Sequence, residues 1–307
     1  MTNWARLSER GTVLGIGIIA ACLRWLGRPA AKVLLYPVVA YFVLTGPAAR
    51  RASDEYFLRL RQFAGHAAGT PLPGWNTRFC HMMAFAESAL DKFAAWSGRM
   101  DPSSVRFPDR AELEAALAHG RGALLIGAHL GNLEMSRALA ASERIVTVNA
   151  VVYAEHGQRF HFALAAANPN FSVNVVHVAD IGPDTSIALK DKIDRGEVLV
   201  IVGDRTPSKE NGRVCSVDFL GAPALFAQGP FILAALLECP VYLFFCLKEQ
   251  DGYRIYLERF ADRVAIPRAE REARLRELAQ QYARRLEAYC LRAPYQWFNF
   301  YSYWQST

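Results

Sequence analysis

No stretch of this 307-residue chain keeps up an unbroken apolar run of the roughly 18 to 20 residues that span a bilayer comfortably. Gly11 to Leu23 is nearly all apolar, but Arg24, Arg28, Pro29 and Lys32 interrupt before a second run from Val33 to Leu44. The hydropathy is low for a polytopic membrane protein. Cysteine is sparse as well: the six residues are scattered, with no Cys-x-x-Cys pair and no histidine-rich ligand spacing. We read them as reduced core residues of a cytosolic compartment. Also missing are a Gly-x-Ser-x-Gly elbow, a Walker loop and a catalytic-looking cysteine setting, so no candidate exists for a covalent nucleophile or for nucleotide hydrolysis. Gly15-x-Gly17-x-x-Ala20 imitates a dinucleotide fingerprint. It lacks both the preceding strand and the ribose-binding acid.

What is present is apolar and basic. Hydrophobic residues make up 52% and mean hydropathy is slightly positive, high for a freely soluble protein and suited to an enzyme seated on a membrane. The formal charge of +6 and pI near 9.0 favour anionic partners: phospholipid headgroups, an acidic carrier protein or nucleic acid. Nucleic acid is the least favoured, because the basic residues are dispersed. The two N-terminal runs read as short membrane-embedded or interfacial helices separated by a basic hinge, with Trp4, Trp25, Tyr36 and Tyr41 at headgroup level. We expect a monotopic anchor over residues 1–48; one tilted crossing and a soluble core hairpin are the rivals.

Residues 49–307 are expected to form the catalytic domain. After a helical region from Ser53 to Trp96 and a short helix from Asp109 to His119, strands alternate with helices. Strands are expected near Ile145–Val152, Val173–Val178, Val198–Val202 and Val241–Leu247, with Tyr253–Phe260 as an antiparallel partner. Helices are expected near Gln158–Ala167, Thr185–Asp194, Gln228–Glu238 and Glu270–Leu291. The expected fold class is α/β: a mostly parallel or mixed central sheet, helices on both faces, and a hydrophobic helical anchor at the N-terminus. The tail Pro294 to Trp304 is too aromatic for a free end and should pack on the body or dip into a membrane interface.

The chain is organised around Ala123 to Glu134, a buried strand that ends at a small-residue turn carrying His129 and leads into a helix start carrying Glu134. The carboxyl ends of parallel strands form the crevice of an open α/β sheet. Gly131 permits the sharp path that lets Glu134 reach back to the imidazole. Such a pair suits a histidine base whose second ring nitrogen is held by a carboxylate. Without an enzyme nucleophile, the substrate brings its own hydroxyl or amine. The other reading of the same spacing is a core histidine bonded to backbone. His66 and His81 read as packed or solvent-facing rather than functional.

His129-Leu130-Gly131-Asn132-Leu133-Glu134 resembles the His-x4-Asp/Glu motif of the lysophospholipid acyltransferase superfamily, in the glutamate form of bacterial lipid A biosynthesis acyltransferases. Val217-Asp218-Phe219-Leu220-Gly221, Gln228-Gly229-Pro230 and Cys239-Pro240-Val241 resemble its later blocks in the right order. Trp4 to Gly11 and Pro294 to Tyr301 resemble a branch of predicted acyltransferases linked to aryl polyene pathways. The resemblance implies direct transfer of an acyl or aryl polyenoyl chain from an acyl carrier protein or coenzyme A thioester to a lipid-like acceptor. It places the enzyme at the cytoplasmic side of the inner membrane.

In that reading His129 is the base and Glu134 orients and charges it, with no cofactor and no metal. Asp204 and Arg205 would bind polar groups of donor or acceptor, Arg205 holding a phosphate or polarising the thioester carbonyl. Arg159 falls where the family carries a basic residue, and Asn132 either contacts substrate or caps the helix of Glu134. The Phe-Pro-Glu-Gly-Thr-Arg motif of glycerolipid enzymes and the His-Arg-Arg ending common in lipid A enzymes are absent, the chain having Asn299-Phe300-Tyr301, which leaves the acceptor open. A thioesterase-like hydrolase and a non-catalytic lipid-binding scaffold are the alternatives.

Overall fold

The computed structural model describes residues 27–65, 69–96, 100–136, 146–153, 174–178, 183–206 and 213–304, with the single positions 21 and 25. Its centre is β2 (Leu124–Gly127), four residues buried on both faces, as expected of a strand inside a covered parallel sheet. The neighbours of β2 are β5 (Val198–Val202) and β8 (Val241–Glu249), both parallel to it. Outward from β5 lie β3 (Val148–Tyr153) and β4 (Asn174–Val178), again parallel. On the other side β9 (Gly252–Ala261) returns antiparallel from β8, and β1 (Val105–Arg106) pairs with β9. The seven-stranded order is β1-β9-β8-β2-β5-β3-β4.

Alternate residues of the central strands point to opposite faces, and each face has its own core. Leu124, Ile126, Leu243 and Phe245 pack with α5 (Pro183–Asp194), α6 (Gly229–Leu237) and α7 (Arg271–Arg292). Leu125, Tyr242, Phe244 and Cys246 pack with Leu113 of α4 (Arg110–Leu117) and Ala95 of α3 (Trp75–Trp96). The sheet is therefore covered on both sides, as alternation in the sequence implied. On α7 the stripe Leu275, Leu278, Tyr282, Leu286 and Tyr289 is buried at the expected helical spacing. Asp109 stands at the N-cap of α4 without a side-chain bond.

Two elements escape the periodicity. The hairpin β6 (Val214–Phe219) and β7 (Ala222–Ala227) turns through Leu220 and Gly221, both with positive φ, the geometry that joins strands in two residues. Strand β1 is too short to read as a strand. The expected helix near Gln158–Ala167 lies outside the described residues, as does the first N-terminal apolar run except Ala21.

Part of the expected basic hinge is helical, and Arg24 lies outside the described residues. Arg28 and Lys32 lie within α1 (Gly27–Thr45), which α2 (Pro47–Phe63) follows after Gly46. Helix α1 lays Ala31, Leu35, Val39 and Val43 on Met82, Met83, Leu90 and Ala94 of α3. Its first turns are pinned by charge. Arg28 makes a two-pronged bond to Asp91 at 2.7 and 2.9 Å, Lys32 reaches Glu87 at 2.8 Å, and Lys248 bonds both acids from β8. Among the described residues α1 is the one helix long and apolar enough to cross a membrane, by length and composition only.

Candidate active site

Strands β2 and β5 are in register with Gly127 opposite Val202, so the chain leaves both at the same height on the carboxyl edge. Two residues past each paired end stand His129 and Asp204. The strand exits are locked together by Gly203 N–H donating to Gly127 C=O at 2.9 Å and by the buried Tyr282 hydroxyl of α7 donating to the same carbonyl at 2.8 Å. Adjacent parallel strands thus deliver an imidazole and a carboxylate side by side, although 75 residues separate them in sequence.

The pair is tight. Asp204 is fully buried, its Oδ1 lies 2.8 Å from His129 Nδ1, and its Oδ2 accepts the His129 backbone N–H at 2.9 Å. Oδ2 also accepts Trp297 Nε1–H at 3.1 Å and Asn299 Nδ2–H at 3.0 Å. An ionised carboxylate only accepts, so Nδ1 carries the proton and Nε2 keeps its lone pair. The His129 side chain is 27% exposed.

Electrostatics keep the pair ready. Burial works to raise the Asp204 carboxyl, but the imidazole, Arg205 and the N–H of His129 hold it below its ordinary value, as a carboxylate. Burial and then Arg205 push the imidazole of His129 below its ordinary value, with Lys92 adding to them and Asp204 opposing. His129 is therefore a neutral base at neutral pH.

This corrects the expected partner. The carboxylate on Nδ1 belongs to Asp204; Glu134, in the turn of helix that follows, pairs with Lys92 of α3 at 3.2 Å. Asp204, expected among the substrate-binding residues, is turned inward, with no part of it reaching solvent. Asn132 is also turned inward, its amide donating to Ser88 C=O at 2.9 Å. Arg205 stays at the site, half-buried, with Nε 3.4 Å from Asn299 Oδ1. Arg159 lies outside the described residues. The sequence signal for Asp204 was a Gly-Asp step straight after a buried strand; what it could not reveal was that this strand lies beside β2.

The turn itself needs Gly131. Its φ is +71°, and a Cβ there would stand 2.1 Å from Cys246 O. Gly131 and Asn132 donate their backbone N–H groups to Gln296 O and Cys246 O at 2.8 and 2.7 Å, so the turn is bound to β8 and to the C-terminal segment. A cavity of about 700 Å³ opens past Gly131 between α3, the end of β8 and the end of α7, and carries charges of both signs. A smaller apolar cavity lies under Leu133, walled by Leu125, Val148, Val200 and Phe244.

A buried Asp–His pair on the carboxyl edge fits proton abstraction, and residues 82–306, which contain the whole site, match the family described as bacterial lipid A biosynthesis acyltransferase. The chain belongs to that family. It is thus an acyltransferase by family, with an acyl donor and a lipid-like acceptor as its classes of substrate. A search of the curated proteins finds none that matches. The family match runs from Met82, within α3, through the aromatic tail, so the strands, the pair and the segment that brackets it all fall inside it, whereas α1 and α2 precede it.

Proposed function

We propose that the protein transfers an acyl chain, fatty or aryl polyenoyl, from an acyl carrier protein or coenzyme A thioester to a hydroxyl or amine of a lipid-like acceptor at the cytoplasmic face of the inner membrane. The coupling of His129 to the buried Asp204 carries this reading. Nε2 takes the proton of the acceptor hydroxyl or amine as its oxygen or nitrogen attacks the thioester carbonyl, and Asp204 fixes the tautomer and steadies the imidazolium. Collapse of the tetrahedral adduct releases the thiol, and the proton on Nε2 passes to the departing sulfur. Arg205, a planar cation beside the pair, suits the carbonyl oxygen as it gains charge. The apolar cavity under Leu133 receives part of the acyl chain. Lys92, paired with Glu134, lowers the proton affinity of His129 from the rim.

The test is acyl transfer from a labelled acyl-carrier thioester into total membrane lipid. His129→Ala is expected to lose about 100-fold to 10,000-fold in kcat, the range a positioned base supplies, and Asp204→Asn at least about 100-fold, both with the fold intact by circular dichroism. Mass analysis of the labelled lipid names the acceptor. Equal labelling by folded His129→Ala would make His129 structural, and release of free acid without any labelled lipid would assign a hydrolase instead.

A further inference from the structure

After α7 the chain crosses the carboxyl edge of the sheet and lies over the His129 turn. Phe298 N–H donates to His129 C=O at 2.7 Å, and Gln296 C=O accepts from Gly131 N–H at 2.8 Å, so two backbone bonds bracket the turn. Trp297 and Asn299, on this strap, both donate to Oδ2 of Asp204, leaving Oδ1 to the imidazole. The strap is held from beneath by His81 of α3, which is fully buried. Its Nε2 lies 2.9 Å from Trp297 O and its Nδ1 3.0 Å from Ser53 Oγ of α2. Because a carbonyl only accepts, Nε2–H donates to Trp297 and Nδ1 accepts from the Ser53 hydroxyl. The Trp297 indole is wedged among Tyr56, Phe219, Tyr303 and Trp304.

We propose that Trp297 and Asn299 are positioning residues for acyl transfer, which fix Asp204 as a carboxylate aimed at Nδ1 and weaken its pull on the proton that Nε2 takes up. His81 fixes the strap that carries them. The inference rests on His129 being the base of the proposed reaction.

The physics is that of neutral dipoles beside a buried ion pair. Both N–H groups point their positive ends at Asp204, drawing its charge toward Oδ2 and away from the imidazole, and the same positive ends oppose a proton on the ring. Among the described residues, further groups face the pair. Arg205 follows Asp204 directly, and Lys92 approaches from α3. Tyr282 and Cys290 come from α7, and Tyr301 and Tyr303 from the end of the strap; burial raises all four, which keeps them neutral. Loss of either donor therefore raises the proton affinity of His129.

The experiment is an NMR titration of the ring signals of ¹³C-labelled histidine in the full chain, with His129→Gln assigning the His129 signal. Trp297→Phe keeps an aromatic ring but no donor, and Asn299→Leu keeps the volume but no amide. Each is expected to move the His129 midpoint up by about half a pH unit or more, and to shift the acidic limb of kcat/KM by the same amount. A purely structural role would lower activity evenly across pH. In wild type, which needs no variant to fold, the Trp297 indole N–H resonance should shift with the His129 midpoint. An unmoved midpoint in folded variants, or an indole signal blind to the titration, overturns the proposal. A shifted midpoint in a protein that transfers no acyl group would leave the positioning intact and refute the acyl-transfer reading instead.

Discussion

At the scale of single residues, two histidines, one half-buried and one fully buried, have opposite tasks. His129 keeps part of its ring open and faces a carboxylate. His81 has no exposed surface and faces a hydroxyl and a carbonyl, and burial pushes it down to about 4, the Trp297 carbonyl opposing only in part. The sign follows from linkage. Folded His81 stays neutral while unfolded His81 takes a proton near pH 6.5, so its contribution is complete above that value and is lost as pH falls toward 4. The loss comes to about 3 kcal/mol. Urea unfolding between pH 7 and 4 should therefore show a steeper acid decline in wild type than in His81→Gln, which keeps a donor for the Trp297 carbonyl but does not titrate. Equal slopes would show that His81 is not held neutral. The sequence reading of His81 as packed rather than functional holds for proton transfer. What it could not show is that the packing supports the strap over the His129 turn.

At the scale of elements, the site is made by two strand ends, a helix that wedges them and the strap that closes over them. Gly131 is where these meet. Its left-handed backbone and the closeness of Cys246 O leave no room for a side chain, so Gly131→Ala must move either β8 or the turn. We expect a loss of about 3 kcal/mol in unfolding free energy, from strain and overpacking together. Activity should fall further than stability explains, because the displaced turn carries His129. Thermal unfolding compared with single-turnover rates on the folded fraction would separate the two. Gly131 was read from the sequence as the residue that permits a sharp path, and the structure bears this out; the path serves to present His129 to Asp204 rather than to bring Glu134 back.

At the scale of the whole molecule, α1 and its surroundings present exposed apolar side chains among the described residues. Trp25, Val33, Tyr41, Leu44, Leu72 and Trp75 are all more than half exposed, on a chain of net charge +6. In our reading this face rests on anionic lipid and brings the His129 edge to the acceptor. Removing residues 1–48 would be a poor test, since it strips Ala31, Leu35, Val39 and Val43 from the α3 core and leaves Asp91 and Glu87 without Arg28 and Lys32. The better variant is Val33→Asp with Leu44→Asp, at positions 66% and 63% exposed that the core does not use. Flotation with vesicles of anionic phospholipid should show binding weakened by about 100-fold or more, from two lost apolar insertions and two added charges, with the fold unchanged. Undiminished binding would move the contact elsewhere.

Periodicity and composition by themselves determined the α/β class, the strands β2, β3, β4, β5, β8 and β9, the stripe of α7 and the place of His129 at a strand end. Those properties are local, written in hydrophobic spacing and turn residues. Tertiary structure alone decided the partner. Glu134 is five residues from His129 and Asp204 is 75 away, yet the parallel register of β2 with β5 sets Asp204 against the ring and leaves Glu134 to Lys92. The donors on Asp204 come from farther still, on a segment whose aromatic content foretold burial but not its target. Spacing along a chain fixes which face a residue shows, whereas strand order fixes which residues stand together, and strand order is set by the packing of the whole sheet.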